Sequence, residues 1–69
     1  MTTPTVGTGT QSIDRAADLL ARVVRAPSPV TFTELAEVTG LARSTTSRLL
    51  SALERADLLA RDEQARWIP

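Results

Sequence analysis

One short segment of this chain is crowded with side chains that donate hydrogen bonds. Between positions 43 and 51 it carries hydroxyl and guanidinium groups and no acid, and the candidate binding residues are Arg43, Ser44, Thr45, Ser47, Arg48 and Ser51. A guanidinium binds phosphate or guanine through paired hydrogen bonds, and small hydroxyl residues let a helix lie deep in a groove and reach base edges. These residue types therefore indicate contact with double-stranded DNA.

A helical conformation would separate these polar side chains from an aliphatic face. At about 100° per residue, the opposite face consists of Thr46, Leu49, Leu50 and Leu53. Arg48 is then the residue best able to read guanine, whereas Arg43 would meet a phosphate beside the backbone N–H groups of the first turn. The same pattern also describes the solvated side of an ordinary amphipathic helix, so the neighbouring elements must decide between the two interpretations.

The neighbouring elements form a helix-turn-helix pattern. Thr31 and Glu34 have the spacing of a capping box, which begins a helix that runs to about Thr39. Gly40 supplies the left-handed residue that ends this helix, and the next helix is predicted at about 42–55. Two helices joined by a short turn that contains glycine place the second helix in the major groove of DNA. The context thus favours DNA binding over a merely solvated face.

An amphipathic helix is predicted before this pair. It should begin after Ser12 as the N-cap and end before Pro27. Its apolar stripe at helical spacing consists of Ile13, Ala16, Ala17, Leu20, Val23 and Val24. Leu19 lies off this stripe and is either a dimer contact or an isolated surface residue. Residues 1–11, rich in Thr, Gly and Pro, are expected to be a disordered tail before a folded domain at 12–69.

A β-hairpin, or wing, is predicted at about 58–68 with a turn that lacks glycine. Val30 and Thr31 could pair with it as a minor strand, and Trp67 should pack its ring against the first or third helix. Phe32 and Trp67 are too few for a base-stacking platform, so both are expected in the core. The predicted fold class is mostly α with a small β-hairpin, a three-helix winged helix-turn-helix.

The arginines of this wing allow two interpretations. Arg61 and Arg66 either contact the DNA backbone or minor groove, or pair locally with Asp62 and Glu63. The net charge of zero and the pI of about 6.1 argue against strong non-specific DNA binding, since DNA-binding domains are usually basic. Residues 43–53 nevertheless carry two arginines and no acid, which forms a local basic stripe in a neutral total.

The composition excludes most other chemistry. There is no Cys and no His, so a thiolate or imidazole metal site and His-based acid–base catalysis are both unavailable. We therefore expect no enzyme activity, no metal and no cofactor. The N-terminus lacks a signal peptide and no apolar run is long enough to span a membrane. The expected location is the cytoplasm, at the nucleoid, with no membrane partner.

The combined motifs resemble the DNA-binding domain of the IclR family of bacterial transcription factors. The strings that carry the resemblance are Gln11-Ser12-Ile13-Asp14-Arg15-Ala16, Thr33-Glu34-Leu35-Ala36, Thr39-Gly40-Leu41, Arg43-Ser44-Thr45, Arg48-Leu49-Leu50 and Leu53-Glu54-Arg55. The resemblance implies a homodimeric repressor or activator that binds a near-palindromic operator. It gives the contact role in the major groove, position by position, to Arg43, Ser44, Thr45, Ser47 and Arg48. The first helix helps to pair the domains in that family, which supports Leu19 as a dimer contact.

The chain departs from the family pattern at several positions. Ala42 stands where Pro is common, and Asp57 and Ala65 replace frequent glycines at two turns. Thr46 replaces an aliphatic residue and Ser47 a larger polar one. Family members also carry a ligand-binding effector domain that strengthens the dimer, and it is absent from these 69 residues. The alternative function is a winged-helix module for protein–protein interaction without DNA binding, which neutral charge and the acidic wing tip favour.

Overall fold

Three helices and one hairpin account for the regular structure. The computed structural model describes residues 10–69. Its elements are α1 (Gln11–Arg25), α2 (Phe32–Thr39), α3 (Arg43–Arg55), β1 (Ala60–Arg61) and β2 (Trp67–Ile68). This order confirms the predicted fold class, a three-helix winged helix-turn-helix. The greater part of the predicted disordered tail lies outside the described residues.

Helix α1 begins earlier than predicted. Its N-cap is Thr10 and its first residue is Gln11, so the prediction of Ser12 as N-cap is wrong and the folded domain reaches into the predicted tail. The carbonyl of Thr10 accepts a hydrogen bond from the Asp14 N–H at 2.9 Å, which closes the first turn. At the other end Ala26 is extended, as expected for a residue that precedes proline.

The packed face of α1 is rotated from the predicted stripe. Leu19 is fully buried and Val23 is 2% exposed, whereas Ile13 and Val24 are 67% and 54% exposed. Residues 16, 19, 20 and 23 form one helical stripe and residues 13, 17, 20 and 24 another, and only contacts with other elements choose between them. The prediction of Leu19 as a dimer contact is wrong, because its side chain has no exposed surface to offer a second chain.

The helix-turn-helix geometry follows from two local devices. In the capping box, the Glu34 N–H donates to Thr31 Oγ1 at 3.1 Å and the Thr31 N–H donates to Glu34 Oε1 at 3.0 Å. Gly40 then adopts φ = 71°, and its N–H closes the helix end on the Ala36 carbonyl at 3.0 Å. Both predictions are confirmed, and they fix where α3 starts.

Short strands hold the wing against the helices. Strands β1 and β2 pair antiparallel, with Ala60 opposite Ile68 and Arg61 opposite Trp67. Trp67 also exchanges two backbone hydrogen bonds with Val30, at 2.7 and 3.1 Å, so the predicted minor strand exists as a single bridge. The two turns without glycine, at residues 57 and 65, take left-handed backbone conformations with φ = 62° and 61°.

One core joins all three helices to the hairpin. It consists of Leu19, Val23, Leu35, Leu50, Leu53, Leu59 and Trp67. The inner face of α3 is as predicted: Leu50 is fully buried, Leu53 is 7% exposed and Leu49 packs at the edge. Thr46 is also fully buried, and its hydroxyl donates to the Ala42 carbonyl at 3.0 Å, so its polar atom is satisfied. Within residues 10–69 no helix has the length and apolarity to cross a membrane.

Candidate nucleic-acid interface

The six predicted contact residues all lie on α3. We call the surface that they form the outer face of α3: Arg43, Ser44, Thr45, Ser47, Arg48 and Ser51. Four of them are exposed, and Thr45 and Ser51 are half-buried on the flanks. Because Leu50 and Leu53 anchor the opposite side of the helix in the core, this face is directed toward solvent. The structure thus brings these candidates together.

The start of α3 is electrostatically open. Its N-cap Ala42 gives no side-chain hydrogen bond to the first turn, and that turn contains no acid. Helix α2, by contrast, begins with a complete capping box and Glu34 in its first turn. An uncapped N-terminus directs free N–H groups and the positive end of the helix dipole outward. The field at the start of α3 therefore favours an anionic partner.

Arg43 lies on the face of an aromatic ring. Its Cζ is 4.7 Å from the centroid of the Phe32 ring, which belongs to the first residue of α2. Phe32 is half-buried and packs against the core, as predicted, and its ring is also a platform for Arg43. The sequence pattern missed this contact because residues 11 apart on two different helices share no periodicity.

Arg61 of the wing is held by the end of α3. Its Nε and Nη2 donate to the two carboxylate oxygens of Glu54, at 3.1 and 3.2 Å. Its guanidinium also lies over the Trp67 ring, 5.3 Å from the centroid. One of the two interpretations paired Arg61 with Asp62 or Glu63, and this pairing is wrong for Arg61, because the acid that holds it is Glu54 of α3.

Arg66 of the wing is held within the turn, as one of the two interpretations predicted. Its Nε donates to Asp62 at 3.0 Å and its Nη2 to the Gln64 side chain at 2.9 Å. The Asp62 carboxylate also accepts the N–H groups of Arg66 and Gln64, at 2.8 and 2.9 Å. The hydrogen bond from the Arg66 N–H is the main cause that lowers the pKa of Asp62. The hydrogen bonds from the Gln64 N–H and the Arg66 guanidinium lower this pKa further.

The arginines of the two elements therefore differ in their availability. Within residues 10–69, the ion pairs engage Arg22, Arg61 and Arg66, and neither Arg43 nor Arg48 has an acidic partner. In the same range no group of three or more acidic, His or Cys side chains is assembled that could hold a metal ion. The chemistry that the exposed surface of α3 offers is hydrogen-bond donation from hydroxyls and guanidinium groups.

Comparison with known proteins agrees with this geometry. The model of the IclR helix-turn-helix domain matches residues 12–63. The HTH-type transcriptional regulator Rv1719 of Mycobacterium tuberculosis is 46% identical over 52 residues, which cover 75% of this chain and 20% of that protein. The crystal structure of the repressor BlcR of Agobacterium tumefaciens aligns over 87% of this chain and 24% of its own, with a TM-score of 0.76 and 28% identity. This chain therefore spans a quarter or less of the length of both relatives. The chain belongs to the IclR family, in which it corresponds to the helix-turn-helix DNA-binding domain of transcriptional regulators.

Proposed function

We propose that this domain binds a specific DNA sequence in transcriptional regulation, with α3 in the major groove. The observation that carries the proposal is the outer face of α3, which is largely exposed and free of acid and holds two arginines that have no acidic partner among residues 10–69. Such a face can approach phosphates and base edges without first breaking an internal ion pair. This function would place the protein at the nucleoid, in the cytoplasm.

The residues of this face divide by their position along the helix. Arg48 lies one turn into α3, where a side chain in the major groove faces base edges, and it is the candidate reader of guanine. Arg43 lies at the open N-terminus, where phosphates are bound, and is the candidate backbone contact. The remaining side chains of this face carry short hydroxyls that can donate and accept hydrogen bonds: Ser44, Thr45, Ser47 and Ser51.

The wing contributes secondary contacts at the DNA backbone or minor groove. Arg61 and Arg66 remain candidates for this role, but each must exchange a carboxylate for a phosphate to fulfil it. Exposed ion pairs are weak, about 0–1 kcal/mol, so the exchange at Arg61 is possible. We therefore propose a smaller share of the binding free energy for the wing than for α3.

Two copies of the domain are proposed to bind a near-palindromic operator. Leu19 is buried, and α1 offers a different surface: the exposed Ile13, Ala17 and Val24, together with the half-buried Leu20. Their spacing of four, three and four residues is that of a helix–helix seam. A dimer that engages two half-sites gains affinity through effective concentration, which offsets the small positive potential of a neutral domain.

The decisive experiment is a selection from random duplex DNA with two copies of the domain fused through a flexible linker. Enrichment of one motif, present as an inverted pair, is the expected result. A Ser44→Asp variant, which places an acid in the open first turn of α3, is the matched control and should lose enrichment. No enriched motif with the intact domain would reject the proposal and leave the protein-interaction function. Binding that is insensitive to salt would do the same, because phosphate contacts are salt-dependent.

A further inference from the structure

Both aromatic side chains of this chain carry an arginine on their faces. The chain has one Phe, one Trp and no Tyr. Arg43 lies over Phe32 at 4.7 Å and Arg61 over Trp67 at 5.3 Å, both within the range of a cation–π contact. A planar guanidinium that stacks on a ring can still donate hydrogen bonds from its edge. The role of each stack therefore depends on which group accepts hydrogen bonds from the edge of its guanidinium.

The two stacks give different answers. The edge of Arg61 is filled by the carboxylate of Glu54 through two hydrogen bonds. Arg43 is exposed and has no acidic partner among residues 10–69, so its edge is open to solvent. Arg61 on Trp67 therefore completes an internal contact. Arg43 on Phe32 is oriented by the ring, and its N–H groups remain available to a binding partner.

The platform under Arg43 is held in place by packing and by the helix cap. Phe32 is the first residue of α2, directly after the N-cap Thr31 and inside the Thr31–Glu34 capping box, and it is half-buried against the core. The ring therefore has a fixed position relative to the start of α3, where Arg43 is the first residue. A free arginine loses most of its rotamer freedom when it binds an anion, but one that already lies on a fixed ring has lost part of it beforehand.

We propose that Phe32 is a positioning residue for DNA: its ring holds the Arg43 guanidinium flat, with the donor edge turned toward a phosphate at the start of α3. The inference rests on the proposed DNA-binding function and assigns a role in it to a residue of α2 outside the recognition helix. It requires the stack to persist in the complex. If Arg43 had to leave the ring to reach phosphate, Phe32 would oppose binding.

The test uses the 69-residue chain and a duplex of arbitrary sequence at low salt, because phosphate contacts are independent of sequence. Phe32→Leu keeps an apolar side chain for the core and removes the ring face, and Phe32→Tyr keeps the face. We expect Phe32→Leu to bind roughly two- to fivefold more weakly, because Arg43 without the ring must lose more of its rotamer freedom on binding, and Phe32→Tyr to bind like the wild type.

A double-mutant cycle separates positioning from a general effect on the fold. In an Arg43→Gln background Phe32→Leu should cause no further loss, and in an Arg55→Gln background it should cause its full loss. Arg55 is the matched control because it is an exposed arginine of α3 outside the stack. Equal losses in both backgrounds, or a Phe32→Leu variant that binds as tightly as the wild type, would overturn the inference. A wild-type chain without salt-sensitive binding would instead reject the proposed function itself.

A measurement on the unaltered chain avoids any folding defect of the variants. In the wild type, the ring current of Phe32 should shift the side-chain proton resonances of Arg43 upfield. The shift should persist when duplex DNA is added. Its disappearance in the complex would show that the guanidinium leaves the ring, and the inference would be wrong.

Discussion

The arginines of α3 and those of the wing have the same side chain but differ in whether an acid is paired with it. Arg43 and Arg48 project from α3 and have no acidic partner in the part of the chain that the structure describes, whereas Arg61 and Arg66 each lie within 3.1 Å of a carboxylate oxygen. The difference arises from the distribution of acids in space: the outer face of α3 has none, and the wing is bordered by Glu54 and Asp62. A neutral chain can therefore present a positive surface when its acids neutralise the arginines elsewhere.

The largest effect should come from Arg48. Arg48→Ala is expected to cost about 1–3 kcal/mol on the selected DNA sequence and to relax specificity at one base pair, because a base contact is lost. The measurement is a titration of labelled duplexes that carry each substitution of the site.

A matched control for Arg48 is Arg55→Ala, which removes an exposed arginine from the last turn of the same helix. It should weaken binding less and leave the base preference unchanged. If Arg48→Ala lowers affinity equally for selected and random DNA, Arg48 is a phosphate contact and the proposed division of roles along α3 is wrong.

Substitution of Arg43 should lower the DNA affinity less than substitution of Arg48 and should change the salt dependence of binding. Arg43→Ala is expected to weaken binding about uniformly across sequences and to lower the slope of log K against log salt by about 1, since one phosphate contact disappears. The slope is measured by repeating the titration at several salt concentrations. A change in base preference without a change in slope would contradict the backbone role.

Local sequence patterns predicted the helices and the turn because their causes are local. The capping box at Thr31 and the left-handed Gly40 act within four residues of their own positions. The same holds for the inner face of α3, where the spacing of Leu50 and Leu53 already determines which side is buried.

The failures have the opposite cause, since they depend on contacts between elements. Two apolar stripes on α1 satisfy helical spacing equally, and only packing against α3 and the hairpin selects the one that contains Leu19. Likewise, Glu54 is seven residues from Arg61 and belongs to another element, so sequence proximity favoured the wrong acid. The Arg43–Phe32 stack was missed for the same reason.

The wing arginine Arg61 should matter less than Arg43. Arg61→Ala is expected to lower the salt slope much less than Arg43→Ala does, because Glu54 competes with phosphate for this guanidinium. Glu54→Gln should instead release Arg61 and steepen the slope by at most about 0.9, the value of one full phosphate contact. The same salt series measures both changes.

Asp57→Asn is the control for Glu54→Gln, because Asp57 lies just beyond the same end of α3 and pairs with no arginine among residues 10–69. It should change the affinity slightly and the slope little. If Arg61→Ala lowers the slope as much as Arg43→Ala does, the ion pair with Glu54 gives way to phosphate and the contrast between the two regions fails.

The smallest effect is a pH dependence of the wing turn. The pKa of Asp62 is lowered from 3.8 when the domain folds, chiefly by the Arg66 N–H. A carboxylate with a lowered pKa stabilises the folded state at pH values above its unfolded pKa, and this contribution disappears as the pH falls through the folded pKa. Acid should therefore loosen the turn and release Arg66, which would then resemble the free arginines of α3.

Thermal unfolding followed by Trp67 fluorescence between about pH 7 and pH 2 measures this dependence. The unfolding temperature of Asp62→Asn should depend on pH less than that of the wild type. Glu63→Gln removes an adjacent exposed acid and should retain the wild-type profile. Identical profiles for Asp62→Asn and the wild type would mean that the hydrogen bonds in this turn do not depend on the charge of Asp62.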